Sequence, residues 1–163
     1  MREPGQLTRT LADEDSTRAA GAALAVALAA LDPPAIFITV AGELGAGKTT
    51  LVRGLLAALG ITGPVRSPTY TLVESYPAGA RRVHHLDWYR LAGPEDLEGV
   101  GFRELLAPGH WVLVEWPERA AAVAAQADVA VALAYAGSGR RLEARAHSAR
   151  GAAVLRRWRE GDA

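Results

Sequence analysis

The sequence predicts a mixed α/β fold: a largely parallel sheet with flanking helices and β-hairpins at its edges. Three observations carry this reading. Ala35 to Val40 (AIFITV) and His110 to Trp116 are apolar runs without a polar face, as expected of strands buried on both sides. Helical segments alternate with such runs over the first two thirds of the chain, which favours parallel pairing. Past Asp128 the pattern changes. Val129, Val131, Leu133 and Tyr135 alternate, Gly137-Ser138-Gly139 turns, and Leu142, Ala144 and Ala146 alternate again, which is a hairpin.

Each element has its own local cause. Asp13 to Thr17 supplies acids and an N-cap ahead of an alanine- and leucine-rich helix, which stops at Asp32-Pro33-Pro34. The Ala35 strand runs into a glycine-rich turn and then a helix from Lys48 to Leu59, closed by Gly60. Ile61 to Tyr70 reads as a loop, punctuated by Gly63-Pro64 and Ser67-Pro68. Thr71 to Tyr76 and Arg82 to Tyr89 read as strands joined by the turn Pro77-Ala78-Gly79-Ala80. Gly93 to Leu97 starts a helix with proline in its first turn, and Pro117 to Ala127 is helical by composition. The tail, Ala149 to Arg159, reads as a short basic helix.

Composition narrows the function classes. The 163 residues suit one globular domain over the whole chain, 1–163, and half of them are apolar, enough for a packed core. Lysine plus arginine number 18 against 18 acids, so no global field draws the protein onto nucleic acid or an anionic membrane. Any nucleic-acid contact needs a local patch or a partner. Cysteine is absent, which excludes disulfides, thiol catalysis and thiolate metal sites. The most apolar stretch, Ala19 to Leu31, spans about 13 residues where a membrane helix needs about 20. A cytoplasmic protein with no membrane partner is expected.

The chemistry lies in Gly42 to Thr49 (GELGAGKT), which matches the P-loop pattern G-x-x-x-x-G-K-[ST] at every fixed position. Glycines let the backbone fold tightly, so that several amides converge on one anion. Lys48 would reach the β- and γ-phosphates, and the Thr49 hydroxyl would bind Mg²⁺. The helix that begins at Lys48 aims its positive end at the same phosphates. A glycine-rich turn that merely joins strand to helix is the plain alternative. Against it, Lys48 is the only lysine in a chain with 17 arginines, and it fills the lysine slot of the motif. Binding of ATP or ADP is the expectation.

Hydrolysis needs a further carboxylate near the metal and a group that orients water. Glu115 ends the apolar strand VLVE, and Asp87 ends the strand before it, where ligands of open α/β sheets gather. Taken alone, either acid also reads as a capping or ion-paired group. Ser67-Pro68-Thr69-Tyr70 lies where a loop can close over the γ-phosphate, though by itself it is a proline turn.

Several blocks occur together in order: GELGAGKTT (Gly42 to Thr50), VRSPTYTLVE (Val65 to Glu74), HLDWYRL (His85 to Leu91), PEDL with Gly101, and VEWPE (Val114 to Glu118). In these the chain resembles the TsaE family, small P-loop ATPases of bacterial tRNA threonylcarbamoyladenosine synthesis, from about Asp13 to Arg145. The resemblance implies that Leu44, Gly45, Ala46, Gly47, Lys48 and Thr49 wrap the phosphates. It implies Mg²⁺ at Thr49 and Glu115, a role for Asp87 in hydrolysis, and a switch-like loop carrying Ser67 and Thr69. Glu14, Trp116 and an arginine after the last turn, Arg140 or Arg141, would lie at the nucleotide. The implied partners are TsaD and TsaB, with tRNA reached only through that complex. The family's ATP hydrolysis supports turnover by the partners and does not itself transfer the threonylcarbamoyl group.

Other features read more plainly. His84, His85, His110 and His147 have no metal-like spacing, and His85 reads as a satisfied strand histidine, with proximity to the nucleotide, two residues before Asp87, the sharper alternative. Arg156, Arg157, Trp158 and Arg159 read as a solvated helix face, with contact to tRNA or nucleotide the sharper alternative. Two rival functions stand beside the ATPase. A P-loop small-molecule kinase would need an acceptor pocket and an arginine-rich lid, and no inserted lid segment is evident. A binding module that never hydrolyses would not need Lys48, Thr49, Asp87 and Glu115 together.

Overall fold

The computed structural model describes residues 5–63, 65, 68 and 72–161. Seven strands form one sheet: β1 (Gln6–Leu11), β2 (Ala35–Gly42), β3 (Val73–Ala78), β4 (Arg81–Asp87), β5 (His110–Glu115), β6 (Val129–Ala136) and β7 (Gly139–Ala146). Their spatial order is β1-β7-β6-β2-β5-β4-β3. The four central strands, β6, β2, β5 and β4, run parallel, and the outer pairings are antiparallel. The parallel core with hairpin edges is the predicted fold class.

The strands β2 and β5 have two buried faces. Ile36, Ile38 and Val40 of β2, with Trp111 and Leu113 of β5, pack toward α1 (Glu14–Leu31), α2 (Lys48–Ala58) and α6 (Ala149–Glu160). Phe37, Val112 and Val114 face the other way, onto Leu97 and Phe102 of the short helices α3 (Glu95–Gly99) and α4 (Phe102–Leu105). Burial on both sides explains why these strands are unbroken apolar runs. Among the described residues no helix is long and apolar enough to cross a membrane.

Helix ends follow the local chemistry. Asp13 caps α1, its carboxylate accepting the Ser16 backbone N–H at 2.8 Å. Asp32 ends the helix in the left-handed conformation ahead of Pro33. The helices α1 and α2 meet through glycines. A Cβ on Gly21 would lie 2.0 Å from the Leu51 carbonyl oxygen, and one on Gly54 2.0 Å from that of Arg18. That close approach seats the P-loop helix tightly against α1, on the same face of the sheet.

Three expectations change, and one strand is added. The strand β1 was not legible, because Arg9 occupies an inward slot between Leu7 and Leu11. Its guanidinium lies 5.1 Å from the centre of the Trp158 ring and donates to the Trp158 carbonyl at 2.6 Å. Pro77 and Ala78 belong to β3 rather than to a turn, which an edge strand tolerates since proline's missing donor can face away from the ladder. Pro117 to Ala127 is not one helix. It is a 3₁₀ turn (Pro117–Ala120) followed by α5 (Ala121–Ala124). Finally, Trp158 is not part of a solvated basic face. It is fully buried, with its indole N–H donating to the Ala20 carbonyl at 3.1 Å, and Arg159 reaches back to the Gln6 carbonyl. Only Arg156 and Arg157 of that cluster are exposed.

Candidate functional site

The parallel core brings three chain segments to one edge of the sheet: the end of β2, which opens the P-loop, and the ends of β4 and β5, which carry Asp87 and Glu115. Asp87 and Glu115 are register partners on adjacent strands, and both are buried. Gly45 (φ 79°) and Gly47 (φ 107°) take the left-handed backbone that closes the P-loop, a conformation side chains disfavour. Crowding adds a second reason at Gly45, where a Cβ would stand 2.7 Å from the Tyr135 hydroxyl. Leu44, at the loop's tip, is 80% exposed.

Lys48 is folded into the loop. Its Nζ donates to the carbonyls of Gly42 and Glu43 at 2.6 and 2.9 Å and lies 4.0 Å from the centre of the Trp116 ring. Burial pushes its ammonium below the ordinary lysine value of 10.5, against the pull of Glu115, Glu118 and Asp87. Trp116 reaches this position because its backbone is left-handed (φ 60°), turning the chain sharply at the end of β5. A non-glycine residue held there costs roughly 1–3 kcal/mol.

Next along α2, the Thr49 hydroxyl touches both carboxylate oxygens of Glu115, at 2.9 and 3.1 Å. His85 approaches the same carboxylate from below, Nε2 to Oε2 at 2.5 Å. His85 is a buried strand histidine, as its sequence position suggests, and its partner is the Glu115 carboxylate on β5. One oxygen of Asp87 accepts the Tyr89 backbone N–H at 2.8 Å, and the Asp87 N–H donates to the Leu72 carbonyl at 3.2 Å. Leu72 is itself left-handed (φ 66°) at the exit of the loop that contains Ser67 and Thr69. Those two residues lie outside the described ones.

Two hollows flank the P-loop. One, of about 340 Å³, opens in front of Lys48, Thr49, Asp87 and Glu115 and is walled by Tyr89 and Trp116. The other, of about 200 Å³, lies between the start of α1 and the β6–β7 hairpin, lined by Glu14, Thr17, Thr50 and Arg140. Gly45 and Gly47 border both. Glu14 stands at this second hollow, 3.1 Å from the Arg18 guanidinium. Arg140 donates to the Gly45 carbonyl at 3.2 Å and stacks over Tyr135, whose hydroxyl donates to the Leu44 carbonyl at 2.7 Å. Arg141 instead pairs with Glu143 at 2.8 Å. Of the two arginines, Arg140 is the one at the P-loop.

The sequence reading missed Thr17, Tyr89 and Tyr135. No local signal marks them, because tertiary folding alone brings the hairpin tip to the P-loop.

Comparison with known proteins gives the family. Residues 11–142 match the family model described as threonylcarbamoyl adenosine biosynthesis protein TsaE. Two relatives, each named tRNA threonylcarbamoyladenosine biosynthesis protein TsaE, are similar in sequence. That of Haemophilus influenzae is 41% identical over 138 residues, covering 84% of this chain and 87% of its own. That of Nostoc is 42% identical over 123 residues, covering 70% of each. The crystal structure of YdiB from Bacillus subtilis superposes with a TM-score of 0.78 at 26% identity, covering 97% of both chains. Matched over most of its length in sequence and fold, the chain belongs to the TsaE family.

Proposed function

We propose that this protein is a Mg²⁺-dependent ATPase of the bacterial cytoplasm that serves tRNA threonylcarbamoyladenosine synthesis. It acts with TsaB and TsaD on tRNAs that read codons beginning with A, and leaves transfer of the threonylcarbamoyl group to them. The observation that carries the chemistry is the contact of Thr49 with Glu115 directly behind Lys48 and the P-loop. The names of the relatives support the pathway.

The donor set fits the ion. Thr49, Glu115 and Asp87 offer only hard oxygens, and Mg²⁺ takes one or two protein carboxylates or hydroxyls plus phosphate oxygens and water. Among the described residues no group of three or more His, Asp or Glu is placed to hold a metal by itself, so the remaining ligands must come from phosphate and water. When bound, Mg²⁺ neutralises charge on the transferring phosphoryl group. The protein's own groups supply the rest. Amides of Gly45 to Thr49 bind the phosphates at the start of α2, and Lys48 swings its ammonium from the two carbonyls onto them. Asp87, held by the Tyr89 N–H, orients the attacking water from the adjacent strand end. Trp116 and Tyr89, with ring centres 4.8 Å apart, wall off the phosphate side. The base enters the hollow beside Glu14, Thr17 and Arg140.

Hydrolysis by the isolated protein is slow, and TsaB with TsaD accelerates it by holding the Ser67–Thr69 loop closed. A phosphate-release assay with and without the purified partners tests this, with Lys48→Ala as the blank and Thr69→Ala as the loop variant. Acceleration by the partners, lost in Thr69→Ala, is expected. Turnover of the isolated protein near ~10 s⁻¹, ordinary for an enzyme, would overturn partner gating. A phosphorylated small molecule in place of free phosphate would replace the reading with a kinase.

A further inference from the structure

The side chain of His85 is fully buried, in the middle of β4, where an aliphatic residue would fill the same space without desolvating a polar ring. Among the described residues its Nδ1 has no hydrogen-bond partner. Its single polar contact is Nε2 to Glu115 Oε2 at 2.5 Å. An ionised carboxylate only accepts, so the proton of this bond resides on Nε2. The ring is thus committed to one carboxylate oxygen.

The sheet explains how it gets there. His85 lies two residues before Asp87 on the same face of β4, and Asp87 is the register partner of Glu115. His85 therefore stands one pleat below the strand ends and reaches diagonally to the Glu115 carboxylate. Thr49 approaches that carboxylate from α2. Between them, the hydroxyl and the imidazole fix the carboxylate plane. Oε2 carries the short bond to the ring, and Oε1, the oxygen nearer the Thr49 hydroxyl, would serve the ion or a water of its shell.

Resting on the reading of Thr49 and Glu115 as the Mg²⁺ site, we propose that His85 is a positioning residue. Its Nε2–H aims Glu115 and thereby sets the affinity for Mg²⁺ in the nucleotide complex. It touches neither nucleotide nor metal. Partners that orient a metal-binding carboxylate in this way typically carry about 10–100-fold in metal affinity.

Two amide substitutions separate this from simple core filling. The side-chain nitrogen of glutamine reaches the neighbourhood of Nε2, whereas that of asparagine stops near Nδ1. The measurement is ATP affinity by calorimetry as Mg²⁺ is titrated, for wild type, His85→Gln and His85→Asn, with ATP affinity in EDTA as the check that the P-loop is intact. Mn²⁺ uptake by the ATP complex, followed by electron paramagnetic resonance, is a second readout independent of turnover. His85→Asn should raise the half-saturating Mg²⁺ about 10–100-fold with ATP affinity in EDTA unchanged, while His85→Gln stays within about threefold of wild type. Wild-type Mg²⁺ dependence in His85→Asn would overturn the inference, because the donor would then be dispensable. Equal loss in both variants would overturn it too, because the ring's packing and not its N–H would be at work. If ATP affinity of the wild type ignores Mg²⁺ altogether, the metal-site reading itself fails, and this inference with it.

Discussion

Lys48 illustrates how a single residue is shaped by its task. Its ammonium fits between two carbonyls and the face of Trp116, a space suited to one compact charge. A guanidinium is a wide planar fork with different hydration. Lys48→Arg should therefore lose nucleotide affinity almost as fully as Lys48→Ala, despite keeping the charge. Calorimetric titration with ATP reads both, and wild-type affinity in the arginine variant would contradict the steric argument. Burial lowers the pKa of this lysine, so its charge costs the unliganded fold stability below that lowered value, and the cost is relieved as pH rises toward 10.5. Lys48→Met should accordingly leave the unliganded protein within about 1 kcal/mol of wild type while abolishing ATP binding. Urea unfolding supplies the first number.

His84 makes a different prediction. It shares 2.7 Å contacts with Ser75 and His110, and burial, with His110 and Arg82 nearby, brings its pKa from 6.5 down to about 4. The unfolded chain then binds a proton that the folded chain refuses between these values. Stability from this group is complete above pH 6.5 and falls away as pH drops toward 4, by about 2–3 kcal/mol in all. Urea midpoints across that range should fall more steeply for wild type than for His84→Gln. Parallel curves would show that His84 does not titrate with folding.

At the scale of elements, the crossing of α1 and α2 fixes where the P-loop helix begins. Gly54→Ala places a methyl 2.0 Å from the Arg18 carbonyl and must push the helices apart. The variant should lose about 2 kcal/mol or more and weaken ATP binding through the shifted loop. Gly99→Ala in α3 meets nothing within 4 Å and should gain about 0.5–1 kcal/mol. Thermal unfolding of the pair tests both signs at once.

Legibility also divides by element. Strands β2 and β5 were readable because burial on both faces leaves no polar position to confuse the pattern. The β6–β7 hairpin was readable because one face packs and the other does not: Val129, Val131 and Leu133 are buried while Ala132 and Ala134 are exposed. β1 was hidden because a guanidinium stacked on Trp158 stands where the alternation calls for an aliphatic residue. Composition makes Pro117 to Ala127 one helix because it does not register the left-handed turn at Trp116, which starts a 3₁₀ segment instead.

At the scale of the molecule, the site is legible only in part for the same physical reason. The P-loop is contiguous in sequence, so its spacing reveals it. The groups that complete it are remote. Tyr135 reaches Leu44 across 91 residues and Arg140 reaches Gly45 across 95, and only the closed sheet brings them together. Thr49 and Glu115 meet across 66 residues because β2 and β5 are parallel neighbours ending at one level. The balanced charge, 18 basic against 18 acidic residues, leaves no general field that would draw tRNA.

In the proposed bound state one nucleoside triphosphate spans both hollows across the P-loop. A crystal structure with a non-hydrolysable ATP analogue and Mg²⁺ tests it most directly. Phosphates are expected on the amides of Gly45 to Thr49, the ion beside the Thr49 hydroxyl with Glu115 behind it, and the base between Glu14, Thr17 and Arg140. A triphosphate bound anywhere other than the Gly42–Thr49 loop would contradict it.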